Sequence, residues 1–248
     1  MKKIIVIPSR LASSRLPNKP LADIGGEPMI IRVLDQARLA KCDQVIVACC
    51  DERLKSIIEK AGGKAVLTDP MLPSGTDRVY AASQAIKTLS PEDIIINLQG
   101  DLPFISPAYI SFAATLLEQN TPFDITTLAA PIQDAADIQN PSVVKVAFSP
   151  LDQQKSYGFG HYFSRAPIPH GAATFYHHIG IYAFRKAALE KFVAASPSAL
   201  ENTERLEQLR ALDLGLKIGV GIVDEAPLSV DTPDDLNKAR LSSQRTAV

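Results

Sequence analysis

The stretch Ile7-Pro8-Ser9-Arg10-Leu11-Ala12-Ser13-Ser14-Arg15-Leu16-Pro17-Asn18-Lys19-Pro20-Leu21 decides how this chain is read. It follows a short apolar run over residues 2–7 and puts Arg10, Arg15 and Lys19 into one polar segment punctuated by Pro17 and Pro20. Proline has no N–H to donate to a ladder, so the strand must stop and the segment becomes a loop at its carboxyl end. That is where open α/β sheets bind ligands. Three cations on one loop suit a polyanion, most simply a chain of phosphates. Neither the GxxxxGK pattern nor GxGxxG occurs, so this is not a glycine-rich nucleotide cradle. The plainer alternative is a solvated basic loop.

The whole chain narrows the choice. Its 248 residues suit one large α/β domain, and 46% hydrophobic content is enough for a proper core. A formal net charge of -1 speaks against a general nucleic-acid binder and makes the amino-terminal cations a local site. No apolar run reaches membrane-spanning length. Met1-Lys2-Lys3 looks like the start of a signal peptide, but Pro8 and Arg10 cut the apolar run that follows. The expectation is a cytoplasmic protein without membrane or nucleic-acid partners. Cys42, Cys49 and Cys50 have no metal-binding spacing and read as free core thiols.

Apolar strands alternate with helical periodicity beyond the loop. Residues 28–40 carry Ile30, Val33, Leu34 and Ala37 on one helical face, with Pro28 in the first turn. Residues 44–48 read as a strand, 52–61 as a helix stopped by Gly62-Gly63, and 64–67 as a short strand. Residues 77–89 read as a helix and 93–98 as a strongly apolar strand. This βαβα beginning predicts a mostly parallel sheet with helices on both faces. Residues 124–129, 143–148, 161–164 and 178–184 then read as strands without regular intervening helices, which predicts antiparallel pairing and an excursion from the main sheet. Helices resume at 185–194 and 201–214, a strand follows at 217–223, a last helix starts at 233, and the tail from 242 reads as frayed.

Several clusters can carry chemistry. Asp101, after Asn97-Leu98-Gln99-Gly100, closes the central strand, where Gly100 would let a ligand approach the backbone. Facing the cationic loop, Asp101 can hold Mg²⁺ brought by phosphates; otherwise it is an Asx-turn residue. Around Asp231, Thr232 is a plausible N-cap, Pro233 fits N1 and Asp235 the capping-box position, so Asp231 is left over as a second carboxylate. In Ser74-Gly75-Thr76-Asp77-Arg78, Thr76 reads as a helix cap, and Ser74 and Gly75 can meet a base or ribose. Arg78 opposes the helix dipole there, so it has a ligand or acidic partner or is a plain surface residue. On the strand 178–184, His178, Gly180 and Tyr182 share one face. Among residues 202–212, Leu206, Leu209 and Leu212 make a core stripe with Glu204, Glu207 and Gln208 between them, and Glu207 can pair with Arg210.

These blocks, taken in order, resemble the 3-deoxy-manno-octulosonate (Kdo) cytidylyltransferase family nearly end to end. The landmarks are IPSRLASSRLPNKPL, GEPMI, SGTDR, NLQGDLP, YFSRAPIP, HHIGIYAF, ERLEQLR and VDTPDDL. The resemblance implies a Rossmann-like nucleotidyltransferase fold in a single domain over 1–248. It also implies a subregion near 130–185 for acceptor binding and dimerisation, and a homodimer. Arg10, Ser13, Arg15 and Lys19 resemble the CTP phosphate loop, and Ser74, Gly75 and Arg78 part of the nucleotide site. Asp101 and Asp231 match magnesium carboxylates. Gln99, Arg165, His178, Tyr182, Glu207 and Gln208 resemble the Kdo-binding set. Asp77, Leu102, Cys49-Cys50-Asp51 and Ala183 depart from the common pattern.

The implied reaction joins CTP and Kdo to give CMP-Kdo and diphosphate for lipopolysaccharide assembly, with Arg10, Lys19, Asp101 and Asp231 as the catalytic set. The rival readings are the same chemistry on an 8-amino Kdo analogue or a nonulosonic acid, and a non-catalytic nucleotide-binding regulator.

Overall fold

A computed structural model describes residues 1–11, 15–154 and 156–245. In chain order it contains β1 (Lys3–Ser9), a 3-10 turn (Lys19–Leu21), β2 (Asp23–Ile24), β3 (Glu27–Pro28), α1 (Met29–Leu39), β4 (Gln44–Cys49) and α2 (Glu52–Lys60). Next come β5 (Ala65–Leu67), α3 (Gly75–Ser83), β6 (Ile94–Asn97), α4 (Pro107–Gln119), β7 (Ile125–Pro131), α5 (Ala135–Gln139) and β8 (Lys145–Pro150). The last elements are β9 (Tyr157–Ser164), β10 (Tyr176–Arg185), α6 (Lys186–Ala194), α7 (Ala199–Glu204), α8 (Gln208–Asp213), β11 (Ile218–Ile222) and α9 (Pro233–Arg245). This is the mixed α/β architecture expected. The elements group into two compact units, one running to Ser111 and resuming at Pro227, the other Phe112–Ala226.

The first unit is built on parallel strands in the order β5-β4-β1-β6. Ile4, Ile5, Val6 and Ile7 are all buried, as a strand covered on both faces requires. The chain leaves β1 toward β4 and β5 on one side and returns to β6 on the other. The carboxyl ends of β1 and β6 therefore flank a topological switch point, the usual place for a ligand crevice. α1 packs Met29, Ile30, Val33, Leu34 and Ala37 inward. It starts at Met29 because Pro28 is its cap and also closes a two-strand hairpin, with Gly25 and Gly26 at positive φ in the turn. That hairpin is too short to leave any periodicity in the sequence.

α3 is shorter than its apolar pattern and begins earlier. Ser74, not Thr76, is the cap: its Oγ accepts from the Asp77 N–H at 3.2 Å. The helix closes at Ser83, whose hydroxyl donates back to the Tyr80 carbonyl at 2.7 Å. α2 stops as read, with Gly62 at φ 72 and the Gly63 N–H donating to the Ile58 carbonyl.

The second unit has the strand order β10-β7-β11-β9-β8, with β7 and β11 parallel and the other neighbours antiparallel. β8 also meets β10, Lys145 opposite His177. The antiparallel pairing expected after residue 124 is present. On β11, a Cβ on Gly219 would fall 2.5 Å from the Phe123 ring, so glycine there lets the ring lie on the sheet. The single helix read over 201–214 is two helices, α7 and α8. Arg205 between them has φ 55, a left-handed conformation that ends a helix turn. α7 starts at a full capping box between Ser198 and Glu201. All three cysteines are free thiols. Among the described residues no helix is long and apolar enough to cross a membrane.

Candidate active site

At the switch point of the first unit, two carboxylates from distant parts of the chain meet on one ammonium. Lys19 Nζ lies 2.8 Å from Asp101 Oδ2 and 2.8 Å from Asp231 Oδ1. Arg15 adds a contact at 3.3 Å to the other oxygen of Asp231. A backbone bond makes the convergence possible: the Val230 N–H donates to the Asp101 carbonyl at 2.9 Å. Val230 is itself clamped in an apolar cluster with Ile24, Met29, Leu236 and Ala239. The chain then turns into α9 through the capping box read from the sequence. Thr232 Oγ1 accepts from the Asp235 N–H at 3.2 Å, and Asp235 Oδ2 accepts from the Thr232 N–H at 3.0 Å. Thr232 and Asp235 thus do the capping, and the Asp231 carboxylate turns to the cations.

Burial works against the Lys19 charge, but Asp101 and then Asp231 outweigh it and hold its pKa above the usual lysine value. Arg10 is exposed at the end of β1. Ser13 lies outside the described residues. Among the described residues no group of three or more His, Cys, Asp or Glu could hold a metal. Two carboxylates alone nevertheless fit Mg²⁺, which is typically held by one or two carboxylates, with substrate phosphates and water completing its shell.

The SGTDR segment divides its tasks. A Cβ on Gly75 would stand 3.6 Å from Pro8 and 3.8 Å from Gln99 Oε1, so the turn lies close to both. Gln99 Nε2 donates to Asn97 at 3.0 Å, and Asn97 Nδ2 donates to Thr76 Oγ1 at 3.2 Å. Thr76 is therefore an acceptor in a buried amide chain, not the helix cap. Arg78 is 3% exposed and donates to Thr68 Oγ1 at 2.5 Å and the Asp69 carbonyl at 3.2 Å. It ties down the segment after β5 and is no surface arginine. Gly100 also has a packing reason: a Cβ there would lie 3.1 Å from the Pro8 carbonyl oxygen. Ser9, which sequence reasoning passed over, has a buried hydroxyl without a hydrogen-bond partner among the described residues.

The second unit gathers most of the other residues singled out. His178 is buried against Phe163 and Tyr182, with ring centroids 4.9 and 5.5 Å away. Its Nε2 is 2.9 Å from Thr127 Oγ1, which also contacts the carbonyls of Ile179 and Ile181 at 3.0 and 2.7 Å. A hydroxyl has one proton, and here it goes to the carbonyls. The Thr127 oxygen therefore accepts from His178 Nε2–H, leaving Nδ1 as an acceptor. Burial, with His177 beside it, lowers the His178 pKa to about 3. Burial and the Glu207 carboxylate raise Tyr182 well above the ordinary tyrosine value. Gln208 is buried, and its Nε2 has no hydrogen-bond partner among the described residues.

Arg165 makes local bonds: Nε to the Glu204 carbonyl and Nη1 to the Pro141 carbonyl, both at 2.8 Å. The sequence reading left out the burial of Lys145 and offered Arg210 only Glu207 as a partner. Lys145 is fully buried and donates to the carbonyls of Asn140 and Val143. Arg210 forks onto Glu201 through Nε and Nη2, at 2.7 and 2.5 Å. No local signal announces either; Glu201 and Arg210 are nine positions apart with a helix break between them.

A cytidylyltransferase family model matches residues 4–218. A 3-deoxy-manno-octulosonate cytidylyltransferase of Rhodospirillum centenum is 50% identical over 238 residues, covering 96% of this chain and 91% of the relative. The protein of that name from Bradyrhizobium sp. (strain BTAi1) is 48% identical over 240 residues, covering 96% of each. A solved structure of CMP:2-keto-3-deoxy-manno-octonic acid synthetase complexed with CTP matches with TM-score 0.91 and 37% identity, covering 99% of this chain and 100% of the other. A cytidylyltransferase of Leptospira borgpetersenii, at TM-score 0.62 and 18% identity, shares the fold.

Proposed function

This chain belongs to the 3-deoxy-manno-octulosonate cytidylyltransferase family, and from that premise we propose how its residues divide the work. The reaction is CTP plus Kdo giving CMP-Kdo and diphosphate, the activation of Kdo for lipopolysaccharide synthesis. The observation that carries the assignment of parts is the meeting of Lys19 with Asp101 and Asp231 at the switch point of the parallel sheet. Arg10, Arg15 and Lys19 bind the triphosphate oxygens. Ser74, Gly75 and Arg78 frame the nucleotide, with Arg78 acting through the Thr68–Asp69 segment it holds.

Asp101 and Asp231 would hold Mg²⁺, which when bound neutralises phosphate charge and acts as a Lewis acid. The anomeric hydroxyl of Kdo gives its proton to solvent water and attacks the α-phosphorus in line, the bond to the β-phosphate oxygen breaks, and diphosphate leaves. Lys19 and Arg15 stabilise charge on the departing oxygens. His178, with a pKa near 3, is a poor general base. It serves as a hydrogen-bond acceptor through Nδ1. Tyr182, Glu207, Gln208 and Gln99 read sugar hydroxyls with it, and Arg165 pairs with the Kdo carboxylate. A homodimer and a cytoplasmic location, where CTP is available and free thiols persist, complete the proposal.

Diphosphate release is the test, measured with each of the four nucleoside triphosphates, with and without EDTA, across Kdo, an 8-amino Kdo analogue and a nonulosonic acid. CTP with Kdo should dominate and EDTA should abolish turnover. Equal use of ATP or of another acceptor, or full activity in excess EDTA, overturns the assignment.

A further inference from the structure

Lys19 does more in this structure than wait for phosphate. Its ammonium stands at 2.8 Å from one oxygen of each proposed metal ligand, the place a cation shared by two carboxylates would take. The backbone beneath it forms a hydrogen-bonded turn. Asn18 holds a left-handed conformation at φ 54, Lys19 opens the 3-10 turn Lys19–Leu21, and its N–H donates to the Leu16 carbonyl at 3.1 Å. The flexible four-carbon side chain can carry the charge away while this turn stays in place. The Lys19 side chain is 18% exposed, against 63% for Arg15, so the ammonium sits in the gap while the guanidinium leans on its rim.

We propose that Lys19 is the resident cation of the Asp101–Asp231 pair: without nucleotide it fills the place of the divalent ion, and the triphosphate vacates that place by drawing the ammonium onto its own oxygens. An ammonium and a divalent cation in contact with the same two oxygens repel too strongly to share the gap. The nucleotide-free protein is therefore a weak binder of divalent ions. Triphosphate and metal promote each other's binding through Lys19, beyond the oxygens the phosphates themselves supply, and the coupling is reciprocal. The device also keeps two neighbouring carboxylates neutralised in the empty enzyme. This inference rests on the reading of Asp101 and Asp231 as metal ligands, and its test separates the two.

Mn²⁺ binding is followed by electron paramagnetic resonance, without nucleotide and with a non-hydrolysable CTP analogue. Lys19→Met and Lys19→Gln are compared with the unaltered protein, thermal melts confirming that each is folded. Removing the competing charge should tighten Mn²⁺ binding to the nucleotide-free protein by about tenfold or more. It should also shrink the analogue's effect on Mn²⁺ affinity. Unchanged nucleotide-free Mn²⁺ affinity in both folded variants overturns the resident-cation role. Asp101→Asn is the separate control: if Mn²⁺ binds it as tightly as the unaltered protein in the presence of the analogue, the metal-ligand reading itself fails.

Discussion

His178 and Tyr182 are four positions apart on β10, yet their ring centroids are 5.5 Å apart. A regular strand would separate their Cα atoms by about 14 Å. The pairing with β7 explains the contact. Ile179 lies opposite Leu128 and Tyr182 opposite Thr127, so Gly180 and Ile181 are bulged out of the register. His178 and Tyr182 therefore face positions only two apart on β7 and meet as same-face neighbours. The Thr127 hydroxyl seals the bulge by bonding the carbonyls of Ile179 and Ile181.

Thr127→Val keeps the shape and removes that hydroxyl. It leaves the His178 Nε2–H and the bulged carbonyls without their partner, at about 1–3 kcal/mol for each buried group left unsatisfied. Denaturant unfolding should show a loss of a few kcal/mol, and the KM for Kdo should rise more than that for CTP. Wild-type stability and Kdo use would show that the bulge holds without Thr127.

The low pKa of His178 has a consequence for acid stability. In the unfolded chain a histidine titrates near 6.5, whereas folded His178 stays neutral down to about 3. As the pH falls below about 6.5 the unfolded chain takes up a proton that the folded one refuses, so this contribution to stability is lost progressively toward pH 3, with a limiting slope of about 1.4 kcal/mol per unit. His177, lowered by burial, adds in the same direction. Urea midpoints at pH 7, 6 and 5 should fall steeply for the natural protein and less steeply for His178→Gln. Parallel slopes would contradict the burial of a neutral imidazole.

Asp231→Asn removes one charge and leaves the Thr232–Asp235 cap intact. Turnover at saturating Mg²⁺ should drop by roughly a hundredfold or more, as expected when charge stabilisation of the transition state is lost. The thermal melt should stay near that of the natural protein. Near-normal turnover in a folded variant would leave Asp101 as the sole supported carboxylate ligand.

Arg165→Lys keeps a positive charge but loses the planar fork that reaches Glu204 and Pro141. If the guanidinium also receives the acceptor carboxylate, the variant should use Kdo at least about tenfold less well while CTP affinity barely moves. Equal losses for both substrates would reassign Arg165 to structure or to the nucleotide side.

Glu201→Gln tests a residue with no assigned chemical role. It strips the carboxylate from a buried fork on Arg210, whose guanidinium also stacks 4.5 Å from the Phe192 ring centroid. Breaking one side of such a pair costs about 3–5 kcal/mol. The folded fraction should keep near-normal turnover, and a large fall in turnover per folded molecule would mean that α7 and α8 also shape the acceptor site.

The sequence by itself determined what depends on contiguous residues. The buried run Ile4 to Ile7, the cationic loop behind it, the stop at Gly62-Gly63 and the cap of Thr232 with Asp235 are local instructions carried by periodicity, missing N–H groups and side chains that reach neighbouring backbone. They were enough to assign the α/β class, and the ordered motifs carried the family. Tertiary structure alone decided which groups meet. The Val230–Asp101 backbone bond brings the two carboxylates together, the Arg205 turn breaks an apparently continuous helix, and a two-residue bulge joins His178 to Tyr182. The sequence left Arg78 open between a ligand or acidic partner and a surface position and said nothing of Lys145, and both are buried on carbonyls in the fold. The physical reason is the same in each case: a side chain's charge is written at its own position, whereas its partner is supplied by whatever the packing of distant segments places within hydrogen-bonding reach.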